Sequence, residues 1–149
     1  EENIKIIYLG YFENLQPQEN YYLAAKLIDF KPNDRRTEQT YSKYNSIDDK
    51  IDPFHYYTAY IKFGYGRCTE EASMETRERY IDRDEAVKLV HKYDHEFPAR
   101  YFGEFLRYIN ISEDNFYDKL DEFRPSHLWE KIGNDRQHCK NWKLKIKVK

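Results

Sequence analysis

The sequence predicts a mainly α fold, a small helical bundle with a C-terminal β-hairpin. Three observations carry this. Between residues 52 and 123 apolar side chains recur three and four apart, with helix-start and helix-stop residues between the runs. The chain ends instead on strict alternation from Trp142 to Val148 (WKLKIKV), the two-residue period of a half-buried strand. Of the 149 residues 40% are hydrophobic, and 15 Tyr and 9 Phe dominate that share, enough for one domain with an aromatic core.

Taken in order, Ile4 to Phe12 (IKIIYLGYF) begins apolar and β-branched and reads as a buried strand ending near Gly10. Gln16 to Phe30 reads as a helix, with Pro17 near its start and Tyr21, Ala24, Ala25 and Ile28 on one face. Pro32 stops it, because the residue before a proline is pushed out of helical geometry. Lys31 to Ser46 is polar and aperiodic, and reads as a mobile loop, either a solvated connector or a lid. Asp52-Pro53 starts the next helix: Asp caps free N–H groups, and Pro at the first position has none to lose. Phe54, Tyr57 and Ile61 form its packed stripe. Gly64 is placed as a left-handed stop, and Gly66 lets the backbone pass close to a ligand or another element.

Thr69 is placed to cap a helix reaching about Arg79, with Glu70 and Glu71 in a first turn that favours acids. Asp82-x-x-Glu85 has the form of a capping box ahead of Ala86, Leu89, Val90 and Tyr93. Two further helical runs follow, from Phe97-Pro98 to Ile109 and from Ser112 to Phe123, closed by Arg124-Pro125. His127 to Ile132 is the partner of the terminal strand, across a turn near Gly133-Asn134.

Candidate chemistry concentrates in Ser46 to Ser73. Asp48, Asp49 and Asp52, beside Lys50, are clustered carboxylates ahead of a helix, which can hold Mg²⁺ or serve only as a solvated helix cap. His55, one turn into the aromatic helix, is either a packing residue or a base. Lys62 and Arg67 flank Gly64 and Gly66, which suits an anion, although a glycine turn between helices also serves simply as a turn. The helix from Pro53 to Phe63 is short, so Lys62, Arg67 and at least one of Asp48 and Asp49 are expected on one concave surface. Cys68 lies beside Arg67, whose charge would lower a thiol pKa. His91 and His95 are four apart, but no third ligand has motif spacing, so no metal site is expected there.

Composition excludes several classes. With 25 basic and 27 acidic residues the formal net charge is −2, which argues against an electrostatically driven nucleic-acid binder. No apolar run approaches the ~20 residues of a membrane span. Cys68 and Cys139 are far apart with no CxxC, so neither a zinc ribbon nor a disulfide framework is implied, and a cytoplasmic location is expected. The chain begins at Glu1 and its only Met is Met74, so it reads as a piece of a longer protein.

SIDDKIDPFHYYTAYIKFGYGR, followed in order by EAVKLVHKYD, FPARYFGEFL and RPSHLWEK, resembles the C-terminal half of the bacterial N-acetyl sugar amidotransferases of surface-polysaccharide synthesis. The resemblance runs from about Tyr41 to Lys143 and is looser before it, carried there by YLGYF. It implies the C-terminal portion of an α/β ATP pyrophosphatase-like (adenine nucleotide alpha hydrolase-like) enzyme. Residues 1–46 would be the end of the nucleotide-binding region with a helix and mobile loop, and 47–149 the C-terminal helical domain with its hairpin. The family's Ser-Gly-Gly-x-Asp-Ser phosphate loop and cysteine pair are absent here, so this stretch alone is expected to be inactive. RERYI (Arg77 to Ile81) also departs from the family, where a glycine-containing turn is usual.

The implied parent reaction converts a sugar acetamido group to an acetamidino group in LPS or O-antigen synthesis, with ATP and Mg as cofactors and none expected on the fragment. The implied partners are a nucleotide-linked or acidic acetamido sugar and a glutaminase subunit supplying ammonia. Asp48, Asp49 and His55 would be catalytic, while Lys50, Lys62, Gly64, Gly66 and Arg67 would bind substrate or phosphate. Two other roles fit the residues: a non-catalytic dimerisation or docking module, whose tyrosines suit an interface, and the C-terminal domain of a tRNA-modifying ATP pyrophosphatase.

Overall fold

The computed structural model describes residues 4–134 and 138–146, the side chains of His138 and Cys139 excepted. The chain divides into two compact units, Glu1–Asn33 and Asp34–Lys149.

In the first unit the expected strand does not form. Residues 4–12 hold a 3-10 turn, Leu9–Tyr11, and Ile4, Ile6 and Ile7 are exposed. A strand is held by its ladder to a neighbour, and this unit has no other strand among its described residues. Helix α1 (Pro17–Ile28) forms as its period predicts. It stops ahead of Pro32, on Asp29 in the left-handed conformation (φ 53°), whose N–H donates to the Ala24 carbonyl.

The second unit begins at Asp34, ahead of the boundary expected between residues 46 and 47, and so takes in the polar loop. That loop is neither a lid nor a solvated connector. Gln39 and Thr40 are fully buried, and Thr37 and Ser42 nearly so. Hydrogen bonds make this burial affordable. Arg36 forks onto Glu96 at 2.6 and 2.5 Å, Gln39 donates its backbone N–H to the same carboxylate at 3.0 Å, and Gln39 Nε2 donates to the Pro53 carbonyl at 3.0 Å.

Helix α2 (Asp52–Phe63) is the spine of this unit. Its stripe of Phe54, Tyr57 and Ile61 packs with α5 (Phe102–Ile109) and α6 (Glu113–Glu122) into an aromatic core. Phe54 stacks flat on Phe105, ring centroids 4.0 Å apart, and Phe102 meets Phe97 edge-on at 4.9 Å. A second, smaller core of Cys68, Ala72 and Val90 joins α3 (Arg67–Arg77) to α4 (Arg83–Tyr93). Two of the expected caps are present: Asp82 accepts from the Glu85 N–H, and Ser112 from the Asn115 N–H. Asp52 is not a cap: it lies inside α2 after Ile51, and its Oδ2 accepts the Ser46 hydroxyl.

Strands β1 (Trp129–Lys131) and β2 (Trp142–Leu144) pair antiparallel, with Trp129 opposite Leu144 and Lys131 opposite Trp142. The hairpin is shorter than the alternation predicts, and Val148 lies outside the described residues. It is tied to the bundle by indole N–H groups. Trp129 Nε1 donates to the Ile61 carbonyl at 2.7 Å, near the end of α2, and Trp142 Nε1 to Asp121 Oδ1 at 2.7 Å.

Candidate functional site

The Gly64-Tyr65-Gly66 turn is built as its glycines require. Gly64 has φ 78°, closes α2 with an N–H bond to the Tyr60 carbonyl at 2.8 Å, and sits in the left-handed region that L residues avoid. Gly66 is extended (φ −120°), so its need is different: a Cβ there would lie 2.8 Å from Asp94 Oδ1 and 3.1 Å from the Asp94 carbonyl.

Asp94, buried at the end of α4, is the anion of this turn. Its Oδ2 accepts the Gly66 N–H at 2.8 Å and the Thr69 hydroxyl at 2.8 Å, and its Oδ1 accepts the Thr69 N–H at 3.1 Å. Helix α3 therefore starts at Arg67, with Gly66 as its N-cap position and the capping carboxylate supplied from α4. Thr69 is not the cap but one of the donors. The positive end of α3 and its free N–H groups are neutralised from inside the protein.

Arg67 is spent inside the protein as well. It is buried, pairs through Nε with Glu71 Oε1 at 3.0 Å, donates from Nη1 to Ser46 Oγ at 2.5 Å, and lies over the Tyr56 ring at 4.4 Å. Ser46 Oγ donates in turn to Asp52 Oδ2 at 2.8 Å, while Thr40 Oγ1 and Asn45 Nδ2 both donate to Glu71. Burial holds the Glu71 carboxyl above the usual carboxylate range, against the pull of Thr40 and Arg67. The Cys68 thiol is also raised, first by burial and then by Asp94, which reverses the lowering expected from Arg67.

The expected convergence of Lys62, Arg67 and the Asp48–Asp49 pair is thus not formed. Lys62 is exposed over the Phe123 ring at 5.2 Å, at the end of α6. Lys50 is exposed, pairs with Glu104 of α5 at 2.9 Å, and lies over Tyr101 at 4.9 Å. Asp49 Oδ1 accepts the Ile51 N–H at 2.6 Å and so shapes the entry to α2, whereas Asp48 and His55 are exposed. The reason is chemical: Arg67 is enclosed by loop 34–46 and α3, and a desolvated guanidinium takes the carboxylate within reach.

A cleft of about 800 Å³ opens elsewhere, between the ends of α2 and α4 and the hairpin. Its lining includes Tyr60, Tyr65, His91, His95, Arg124 and Trp129. Burial, then Asp94, pushes the Tyr60 phenol up to about 12, so it stays a neutral hydroxyl. Arg124 is buried between two indoles, 4.7 Å from Trp129 and 5.4 Å from Trp142. Sequence reading passed over this cleft because its lining comes from four separate segments. The two tryptophans flanking Arg124 were its one visible signal. Among the described residues no three His, Cys, Asp or Glu side chains gather to hold a metal, and no helix is long and apolar enough to cross a membrane.

Residues 38–149 match the family described as "LPS biosynthesis protein WbpG-like, C-terminal domain". The chain belongs to this family. The match begins inside the loop, close to the start of the second compact unit, so the WbpG-like domain includes Thr40, Asn45 and Ser46, which bond to Glu71 and Arg67. It also contains the whole 46–73 stretch, the cleft and the hairpin. A comparison with curated proteins finds no match.

Proposed function

We propose that this WbpG-like domain is the C-terminal part of an ATP-dependent N-acetyl sugar amidotransferase acting in lipopolysaccharide or O-antigen synthesis. The observation that carries the reading is the match of residues 38–149 to a lipopolysaccharide-biosynthesis domain, over the same span in which the amidotransferase-like motifs occur in order. In this reaction the acetamido oxygen attacks the α-phosphorus of ATP, and pyrophosphate leaves. Ammonia from a glutaminase then adds to the activated carbon, AMP departs, and loss of a proton leaves the acetamidino group. ATP and Mg would be held mainly by the phosphate-loop domain of the parent enzyme.

Within the WbpG-like domain, the exposed Asp48, Asp49 and His55 are the groups free to take the ammonia proton or orient sugar hydroxyls. Lys50 and Lys62 are exposed cations that can meet phosphate or carboxylate at the domain surface. Gly64, Gly66 and Arg67 serve that surface indirectly, by fixing α2 against α3. The test is an assay of an enzyme carrying this domain and a phosphate-loop domain, with ATP, ammonia and acetamido sugars. AMP, pyrophosphate and amidine should appear together, and Asp48→Asn with Asp49→Asn should cut turnover at least 100-fold. Full turnover by that double variant would remove the acids from the reaction. The 149-residue chain alone should release no AMP.

A docking role is the second reading, favoured by the exposed apolar side chains of Ile4, Ile6, Ile7 and Leu9. A concentration-dependent dimer lost on Ile4→Ser with Ile6→Ser would support it, and a monomer at every concentration would exclude self-docking.

A further inference from the structure

Arg124 is only partly accounted for by the fold, through a long ion pair with Asp121 and two indole faces. Its side chain is 3% exposed, and its buried Nε has no hydrogen-bond partner among the described residues. The carboxylate of Asp121 stands 3.5 Å away and already accepts the Trp142 indole N–H at 2.7 Å. Two aromatic faces attract a cation but accept none of its five N–H donors in the plane of the fork. A desolvated guanidinium in this state is incomplete, and it lines the cleft.

We propose that this cleft is a binding site for an oxyanion carried on a sugar ring, with Arg124 holding the oxyanion and Tyr65 with Phe63 supporting the ring. The planar fork matches carboxylate and phosphate oxygens in pairs, and the flanking indoles fix its orientation before the ligand arrives. Phe63 and Tyr65 stack on each other at 6.2 Å and are 56% and 55% exposed, which leaves apolar surface for the C–H face of a ring. Groups for ring hydroxyls are at hand: the neutral Tyr60 hydroxyl, His91 and His95 at the rim, and Lys143 from β2. Lys143 adds a second positive charge, while the Asp94 carboxylate, also in the lining, has its oxygens turned to the Gly66 and Thr69 donors. The volume, about 800 Å³, suits a small-molecule site and exceeds one monosaccharide. The choice of a sugar ring rests on the family's place in lipopolysaccharide synthesis and not on the amidotransferase reaction.

The chain has two tryptophans, and both lie against Arg124, so emission excited at the red edge of tryptophan absorption, where the 15 tyrosines are silent, reports on this cleft. The 149-residue chain is titrated with glucuronate, glucose 1-phosphate, glucose and inorganic phosphate. One or both charged sugars should shift the emission saturably, at least tenfold more tightly than glucose or phosphate; the tighter of the two names the oxyanion's source. Arg124→Gln should weaken the charged sugar at least tenfold. The exposed Tyr65→Ala, which leaves the core intact, should weaken it about threefold without changing the response to phosphate. No saturable shift with either charged sugar overturns the proposal, as does equal affinity for glucose or for phosphate. Unchanged binding in a folded Arg124→Gln, or in Tyr65→Ala, does so too. Neither ATP nor turnover enters the experiment, so its failure leaves the amidotransferase reading standing, and failure of the turnover assay leaves this one.

Discussion

Arg67 and Arg124 are equally buried, each 8% exposed, yet they are opposite cases. Arg67 pairs with a carboxylate, donates to a serine hydroxyl and lies over a tyrosine. Arg124 has two indoles, a carboxylate 3.5 Å away and an unpartnered Nε. The difference shows how to separate a structural arginine from a binding one. Burial alone does not decide it; what decides is whether the guanidinium's donors are already used. Arg67 sits beside two glycines, where an anion site is expected, and the protein has filled that place with Asp94 and Glu71. Arg124 follows no glycine motif and leaves its Nε without a hydrogen-bond acceptor.

The largest expected effect breaks the comparison directly. Arg67→Met should destabilise by roughly 3–5 kcal/mol, because it strands Glu71 as a buried acid without its cation. Arg124→Met, of similar volume, should cost less, about 1 kcal/mol, since it gives up two ring contacts and one long ion pair to the partly exposed Asp121 but no hydrogen bond. Urea unfolding of both variants measures this; equal losses would mean Arg124 is as structural as Arg67.

Next is the internal anion. Asp94→Ala removes three hydrogen bonds from the start of α3 and leaves the Gly66 N–H buried without an acceptor, at a cost of about 2–3 kcal/mol. Hydrogen exchange at Gly66 and Thr69 should quicken in this variant, and unchanged protection would mean that something else caps α3. Gly64→Ala should cost about 1 kcal/mol or more through the left-handed backbone, and its Cβ would also press on Leu144, 3.2 Å away. A thermal midpoint unchanged by that substitution would contradict the turn.

Arg79 also has positive φ (64°), and the Tyr80 N–H bonds back to the Glu75 carbonyl. Arg79→Gly should therefore stabilise by about 0.5–1 kcal/mol in the same unfolding series. The smallest effect is one of pH. Glu71 is held above the usual carboxylate range, so the folded protein binds its proton more tightly than the unfolded chain does. Its contribution is fully present below the ordinary carboxylate pKa and is lost as pH rises through the raised value. Relative to the parent, Glu71→Gln should thus be least favourable at low pH and improve toward neutrality. The opposite trend would show that Arg67 outweighs burial.

Much of the second unit was legible from residue order. Local rules place the starts of α4 and α6 at Asp82 and Ser112, because caps act within one turn, and Pro53 marks the start of α2, although Asp52 does not cap it. The alternation of WKLKI announces a strand, and the 3.6-residue stripe of Phe54, Tyr57 and Ile61 announces the core. Only the tertiary structure decided the rest. Ile4 to Phe12 has a strand's composition but no other strand among the described residues of its unit, and pairing is a property of two segments. The loop 34–46 has no apolar period, yet Thr37, Gln39, Thr40 and Ser42 in it are buried, because the loop is held by hydrogen bonds to Glu71, Glu96 and Pro53 from other segments. Asp94 capping a helix from another element, and Arg124 waiting between Trp129 and Trp142, rest on the same physical reason. Hydrogen bonds and desolvation act over about 3 Å in space, whatever the distance along the chain.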